Sequence, residues 1–278
     1  MKLKKFKIRC SAIGQIMTNS SGKTKSEKIL AMTADISDRQ TKHDAIKDGL
    51  KSKSNAAEKI EALKSELEVL NALPDEPELS QTAKTYCENW IKEQLYERRK
   101  EISSKHTEKG NQTEDPAIDY CAAVLGWGLI GKNQERKSNE YMEGECDVDL
   151  PDRITDIKNS FDCFTFPLFE SEIPDKGYEW QVRGYMNLWG KNFASVVFTL
   201  MDMPPDMIAK EVRWRLGEEY TKEQYEAFVS QFIYSNLPDN LRIKQFHFEH
   251  DQSKVEQINR RVIQCRQYIQ TLIEKTFT

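Results

Sequence analysis

Hydrophobic and polar positions change their period several times along the chain. Residues 2–9 alternate enough for a short strand or extended arm, and "SAIGQIMT" reads as a short helix with Ser11 as N-cap. "TNSSGKTKS" is loop-like by composition. From about 42 to 73 the pattern is helical, with Ala56, Ile60, Leu63, Leu67 and Leu70 forming an a/d stripe among Glu and Lys. "KSKSN" at 51–55 can break this stretch into a hairpin. The stripe suits a partner-binding arm, or a helix packed on its own domain or its other half. It is shorter than the three or four heptads that mark a coiled coil.

"LPDEPELS" at 73–80 reads as a turn before a helix from about Ser80 to Ser103. "KHTEKGNQT" reads as a loop, with Asn111 or Thr113 capping a helix over about 114–125. Pro116 then sits in the first turn and Gly126 just past the end. Residues 144–161, "GECDVDLPDRITDIKNSF", alternate as two short strands. An amphipathic helix over 178–190, a buried strand over 194–201, mostly helix over 205–236, a strand in "LRIKQFHFEH" and a helix over 251–275 complete the pattern. Strands and helices mix without a βαβα rhythm, which predicts a mixed α/β or α+β fold in one domain, 1–278, carrying the 42–73 arm.

Composition narrows the function classes. The formal charge of −4 gives no global positive field, so a nucleic-acid site must be a local basic patch. Lys2, Lys4, Lys5, Lys7 and Arg9 form the densest such run. No apolar run approaches the roughly 18–20 residues that span a bilayer, and "MKLKKFKIRC" lacks the apolar centre of a secretory signal. Six scattered cysteines without a C-x-x-C pair read as free thiols in a reducing cytosol.

The chemistry is in the acidic hairpin. Asp147, Asp149, Asp152 and Asp156 crowd a stretch that reads as strand, where acids are disfavoured. If Pro151 and Asp152 make the turn, Leu150 faces Arg153 and Asp147 falls opposite Asp156. Opposed residues lie roughly 4.5–5.5 Å apart, and two carboxylates there repel unless a cation lies between them. A hard ion such as Mg²⁺ takes oxygen ligands and suits the gap. Asp156 and Lys158 share a strand face while Ile157 points to the other. Asp149 has the same phase as Asp147, and geometry does not choose between them. Solvated acids on a surface hairpin are the other reading.

This arrangement resembles the PD-(D/E)XK nuclease superfamily, within its RecB-like branch most closely the lambda exonuclease and YqaJ-type phage recombinases. "KGNQTE" is similar to the helix motif ending in a metal-facing Glu, here Glu114; "GECD" to a Gly-x-x-Asp, which favours Asp147. "DIK" resembles the (D/E)-x-K core, Asp156 and Lys158, and "QVRGY" the Q-x-x-x-Y of the next helix, Gln181 and Tyr185. "RCSAIGQIM" is similar to the family's opening Arg-x-Ser helix. Asp156 stands where lambda-type enzymes often carry Glu, and the 42–73 arm has no mapped counterpart.

The resemblance implies a central mixed sheet flanked by helices and metal-dependent hydrolysis of DNA phosphodiesters at duplex ends. The metal ligands would be Glu114, Asp147, Asp156 and the Ile157 carbonyl, for Mg²⁺ with Mn²⁺ as substitute. Lys158 would act on the nucleophile or the phosphate, with Gln181 and Tyr185 in support. Arg9 and Ser11, with Lys5 and Lys7, would hold DNA and receive a terminal 5′ phosphate; a solvated N-terminal strand is the equal alternative. Cys265 stands alone near the C-terminus, so no iron–sulfur cluster is expected. Expected partners are double-stranded DNA ends and a single-strand annealing protein, in the cytoplasm of a bacterial or phage-infected cell. No membrane contact is expected, and a homo-oligomer is allowed. An endonuclease or nickase on the same fold, a non-catalytic DNA-binding scaffold, and an adaptor working through 42–73 are the competing functions. Trp180 and Trp189 read as core, and His43, His106, His247 and His250 belong to no motif.

Overall fold

The computed structural model describes residues 3–20, 25–49, 51–72, 78–101 and 104–277. The chain divides into two compact units, one of Met1–Met17 with Ala83–Thr278 and one of Thr18–Thr82.

In the first unit, β1 (Ile8–Arg9) leads through a 3₁₀ turn at Cys10–Ala12 into α1 (Ile13–Ile16). No side chain caps either element, so Ser11 is not the N-cap that its sequence position suggested.

The smaller unit holds α2 (Lys25–Asp44) and α3 (Lys51–Ala72). Helix therefore begins well before residue 42, and the break falls ahead of Lys51, not at 51–55. Lys25 at the start of α2 donates to the Asn71 carbonyl near the end of α3 at 3.2 Å, so the two helices run antiparallel. Ile60 is buried, and Ala56, Leu63, Leu67 and Leu70 are half-buried along the same stripe. The apolar stripe of α3 thus belongs to a helical hairpin. The turn expected at 73–80 lies largely outside the described residues.

Helix α4 (Gln81–Tyr96) stops short of the predicted Ser103. Glu97 adopts a left-handed φ of 51°, which ends it. Helix α5 (Lys105–Leu125) begins about nine residues before the expected start. Ser104 caps it, its side chain accepting from the Thr107 N–H at 3.1 Å, so "KHTEKGNQT" is helix and Pro116 lies inside it. Gly126, in the left-handed region, ends it as expected.

Two small strands, β2 (Lys137–Ser138) and β3 (Met142–Gly144), join β1 in a sheet of order β1-β3-β2. Then come β4 (Val148–Asp149), β5 (Arg153–Asn159), α6 (Lys176–Trp189), β6 (Phe193–Thr199), α7 (Pro205–Arg215), α8 (Lys222–Val229), β7 (Ile243–Glu249) and α9 (Gln252–Phe277). The main sheet runs β4-β5-β6-β7, with β5 and β6 parallel and both edge pairs antiparallel. This is the mixed central sheet that the resemblance implies.

Helix α5 covers one face. Its Ala117, Ile118 and Cys121 pack with Val148, Leu150, Ile157 and Val197 in a buried cluster. Helix α6 packs on the opposite face of β5 through a stripe that includes Gln181 and Tyr185. Helix α9 buries Val255, Ile258, Val262, Cys265 and Ile269, and its Arg266 guanidinium donates to the Phe6 and Glu140 carbonyls at 2.7–3.0 Å, tying down the N-terminal strand. Among the described residues no helix is long and apolar enough to cross a membrane.

Candidate active site

The hairpin register places the acids. Val148 pairs with Thr155 and Asp149 with Ile154, and the Leu150 N–H bonds the Arg153 carbonyl at 2.9 Å. Continued by one residue, the register sets Asp147 against Asp156. Asp147 Oδ2 accepts the Ile157 N–H at 2.6 Å, which turns its carboxylate toward β5. Asp149 departs from this cluster: its carboxylate pairs with Lys191 at 2.8 Å. Of the two acids, Asp147 lines the cavity beside Asp156 and Asp149 does not.

Asp156 is 1% exposed. Its Oδ1 accepts from Gln181 Nε2 at 2.9 Å, and its Oδ2 lies 2.7 Å from the Lys158 ammonium. The Gln181 amide also donates to the Tyr185 hydroxyl at 3.2 Å, and its Oε1 accepts from Lys158 at 3.3 Å. One side-chain amide therefore links the acid, the base and the phenol. The spacing of Tyr178, Gln181 and Tyr185 brings all three to one face of α6, and the Tyr178 ring lies 4.7 Å from the Lys158 ammonium.

Gly144, the glycine of "GECD", has a steric reason. A Cβ there would sit 2.7 Å from the Tyr185 ring and 2.9 Å from Cys10 Sγ. Gly184 meets Cys10 and Ile13 in the same way, so β3, α6 and the N-terminal turn close tightly behind the site.

Glu114 lies on the stripe of α5 that continues into Ala117, Ile118 and Cys121, which carries it to the same cavity. It is a mid-helix residue, not the first-turn Glu of the predicted shorter helix, and it pairs with Lys132 at 2.8 Å. Glu114, Asp147, Asp156, Ile157, Lys158, Gln181, Tyr185 and Ser11 all line one cavity of about 720 Å³. Among the described residues, however, no three acidic, His or Cys side chains form a ready-made metal cage. Each acid leans on a donor of the protein itself: Lys132, the Ile157 N–H or Lys158.

Electrostatics mark the cavity as strained. Burial first, and then the Asp156 charge, push the Asp147 carboxyl well above the usual carboxylate range. Burial alone would lower Lys158, but the two carboxylates outweigh it and raise the ammonium, which stays charged. Burial raises the Tyr185 phenol, which stays protonated. The Asp147 shift has a stability consequence. A folded pKa above the unfolded one means that the native state holds the proton longer, so stability falls as pH rises between the two values, from 3.8 to about 8. Thermal melts in EDTA across that range should show this slope in the wild type and a flatter one in Asp147→Asn.

The predicted DNA-holding residues are only partly at the site. Ser11 lines the cavity. Arg9 pairs with Glu93 at 2.7 Å, Lys5 with Glu140 at 2.8 Å, and Lys7 donates to Ser138 Oγ at 2.7 Å. Lys132, His106, Asn159 and Tyr178 line the cavity and were given no role in the sequence, and Asn111, read there only as a helix cap, lines it too. Lys109 was also missed. It is fully buried, and its ammonium donates to the carbonyls of Ser160, Phe161 and Met201 at 2.7–3.0 Å, just beyond β5 and β6. No local pattern distinguishes these residues from surface ones. Trp189 is buried, in keeping with its core reading. The six cysteines are free thiols.

No protein-family model matches the chain, and no curated protein matches it by sequence. Solved structures do match. A phage-related exonuclease from Haemophilus somnus 129PT aligns over 98% of this chain and 97% of its own, with a TM-score of 0.66 and 24% identity. An alkaline exonuclease from Laribacter hongkongensis aligns over 70% of this chain and 84% of its own, with a TM-score of 0.50 and 14% identity. The first alignment is nearly complete, so it takes in the helical hairpin as well as the sheet. This chain therefore has the fold of these exonucleases, which is the fold that its E…GxxD…DxK…QxxxY resemblance to the PD-(D/E)XK superfamily implies.

Proposed function

We propose that this chain is a metal-dependent deoxyribonuclease that hydrolyses phosphodiester bonds from the ends of duplex DNA, in phage-type recombination or repair. The observation that carries this reading is the convergence of Asp147, Asp156, Lys158, Gln181, Tyr185 and Glu114 on one cavity. A hard divalent cation suits the donor set. Two carboxylates repel across the hairpin, the Asp156 charge being one cause of the raised Asp147 pKa, and an oxygen-seeking ion between them would relieve that repulsion. Asp147, Asp156 and the Ile157 carbonyl would hold Mg²⁺ or Mn²⁺, with Glu114 completing that site or serving a second ion. When bound, such an ion acidifies water and neutralises charge on the phosphate.

The chain's own groups do the rest. Lys158, kept cationic, would donate to the nucleophile or to a phosphate oxygen as charge builds there. Gln181 fixes the Asp156 carboxylate and the Lys158 ammonium relative to each other. Tyr185 holds the Gln181 amide in place. Arg9 and Ser11 are proposed to receive a terminal 5′ phosphate, for which Arg9 would have to exchange or share Glu93. The product single strand would pass to an annealing protein.

The test compares linear with covalently closed duplex, in Mg²⁺, Mn²⁺ or EDTA, with 5′-phosphate or 5′-hydroxyl ends. Loss of linear DNA only, with metal only, is expected, and faster from phosphorylated ends. Nicking of the closed form at the same rate would replace the exonuclease reading with an endonuclease, and equal cleavage in EDTA would remove the metal mechanism.

A further inference from the structure

The cavity does not end at the acids. Phe161, one of its lining residues, lies against the His106 ring, tilted by 34° at a centroid separation of 4.4 Å. The same Phe161 packs against the apolar face of α7. That helix buries Met207, Ile208 and Val212, so its helical period turns Arg213, Trp214 and Arg215 outward. Trp214 is 70% exposed, with the Lys105 ammonium 5.3 Å and the Arg215 guanidinium 4.7 Å from its ring. Lys105 is the neighbour of His106, so cavity wall, the His106–Phe161 ring pair and the exposed indole form one continuous strip.

On the other side of Phe161 the chain makes a short pinned turn. Asp162 Oδ1 accepts the Phe164 and Thr165 N–H groups at 3.1 and 2.9 Å, and Lys109 holds the Ser160 and Phe161 carbonyls. At its tip Phe164 is 93% exposed, while Phe161 and Thr165 beside it line the cavity. A large aromatic ring held in water by a fixed turn, next to a catalytic cavity, has no packing role to explain it.

We propose that this strip, from Phe164 through Phe161 and His106 to Trp214 and its flanking cations, binds single-stranded DNA leading to or from the acidic cavity. Exposed aromatic faces stack bases of any sequence, and adjacent Lys and Arg follow the backbone. Lys105 is partly spent on Glu211. Arg215 shares the same Glu211 at 3.9 Å, while Arg213 is exposed on the same face. The proposal rests on the nuclease reading for its biological use, but its test does not.

Binding of a short labelled oligothymidylate is measured by fluorescence anisotropy in EDTA, where no turnover occurs. Trp214→Ala and Phe164→Ala should each weaken binding about tenfold, the lower part of what a base–aromatic stack contributes. Trp214→Phe should restore most of it, which a loss of folding would not. Phe277→Ala, a control that removes another exposed ring, should bind as the wild type does. Undiminished binding by both alanine variants, or an equal loss in Phe277→Ala, overturns the strip. Absence of metal-dependent cleavage in the same preparation would overturn the nuclease reading alone, since the anisotropy result does not depend on it.

Discussion

Asp156→Asn should lower cleavage of linear duplex DNA by about a thousandfold or more while leaving the chain folded, as read by circular dichroism and by turnover with Mg²⁺. Asn keeps the shape and still accepts from Gln181, so the α6 contact at 2.9 Å survives. What disappears is the buried negative charge that pairs with Lys158 and opposes Asp147. Asp147 then loses the second cause of its raised pKa and ionises more readily. The variant thus separates charge from geometry. Lys158→Ala makes the complementary change, leaving the Asp156 carboxylate without its cation; it too should nearly abolish turnover. Near-normal rates in either variant would move the chemistry away from this cavity.

The second large effect lies away from the acids. Lys109→Met should cost about 3–5 kcal/mol of stability, because three carbonyls at the ends of the parallel strands lose their donor. Each buried unsatisfied acceptor costs ~1–3 kcal/mol, and relaxation recovers part of the sum. For a chain of this length the melting temperature should fall by roughly 10 °C. Three acceptors match the three donors of an ammonium, which favours a charged Lys109 even though burial lowers its pKa to about 8. Since Ser160 and Phe161 also line the cavity, turnover should fall together with stability. A melting curve unchanged by Lys109→Met would show that water or backbone movement replaces the ammonium.

What the sequence made legible follows from periodicity and local turn chemistry. The hairpin register could be counted outward from "LPDR", because a strand alternates strictly and the turn leaves little freedom. Gln181 and Tyr185, picked out by the resemblance, could be placed on one helix face from their spacing of four. The α3 stripe was visible as well, though not its partner, since α2 is too polar to announce a helix by its apolar positions. The start of α5 was missed because "KHTEKGNQT" carries loop-forming residues. Ser104 supplies the cap and Lys109 anchors that turn to the sheet, so tertiary contacts outweigh the weak local propensity. Lys109 itself was illegible for the same reason: its acceptors lie 51, 52 and 92 residues away. The pairing of Arg9 with Glu93 is likewise long-range, and a basic run in sequence does not show which of its charges are already engaged.

The paired carboxylates of the hairpin are proposed to hold a hard divalent cation, and every role assigned to the cavity depends on it. Titration of Mn²⁺ into the metal-free protein, followed by its electron paramagnetic resonance signal, tests this without any nucleic acid. Wild type should take up Mn²⁺, Mg²⁺ should compete for it, and the double variant Asp147→Asn, Asp156→Asn should lose the site. Equal uptake by wild type and the double variant, or none by the wild type, would contradict it.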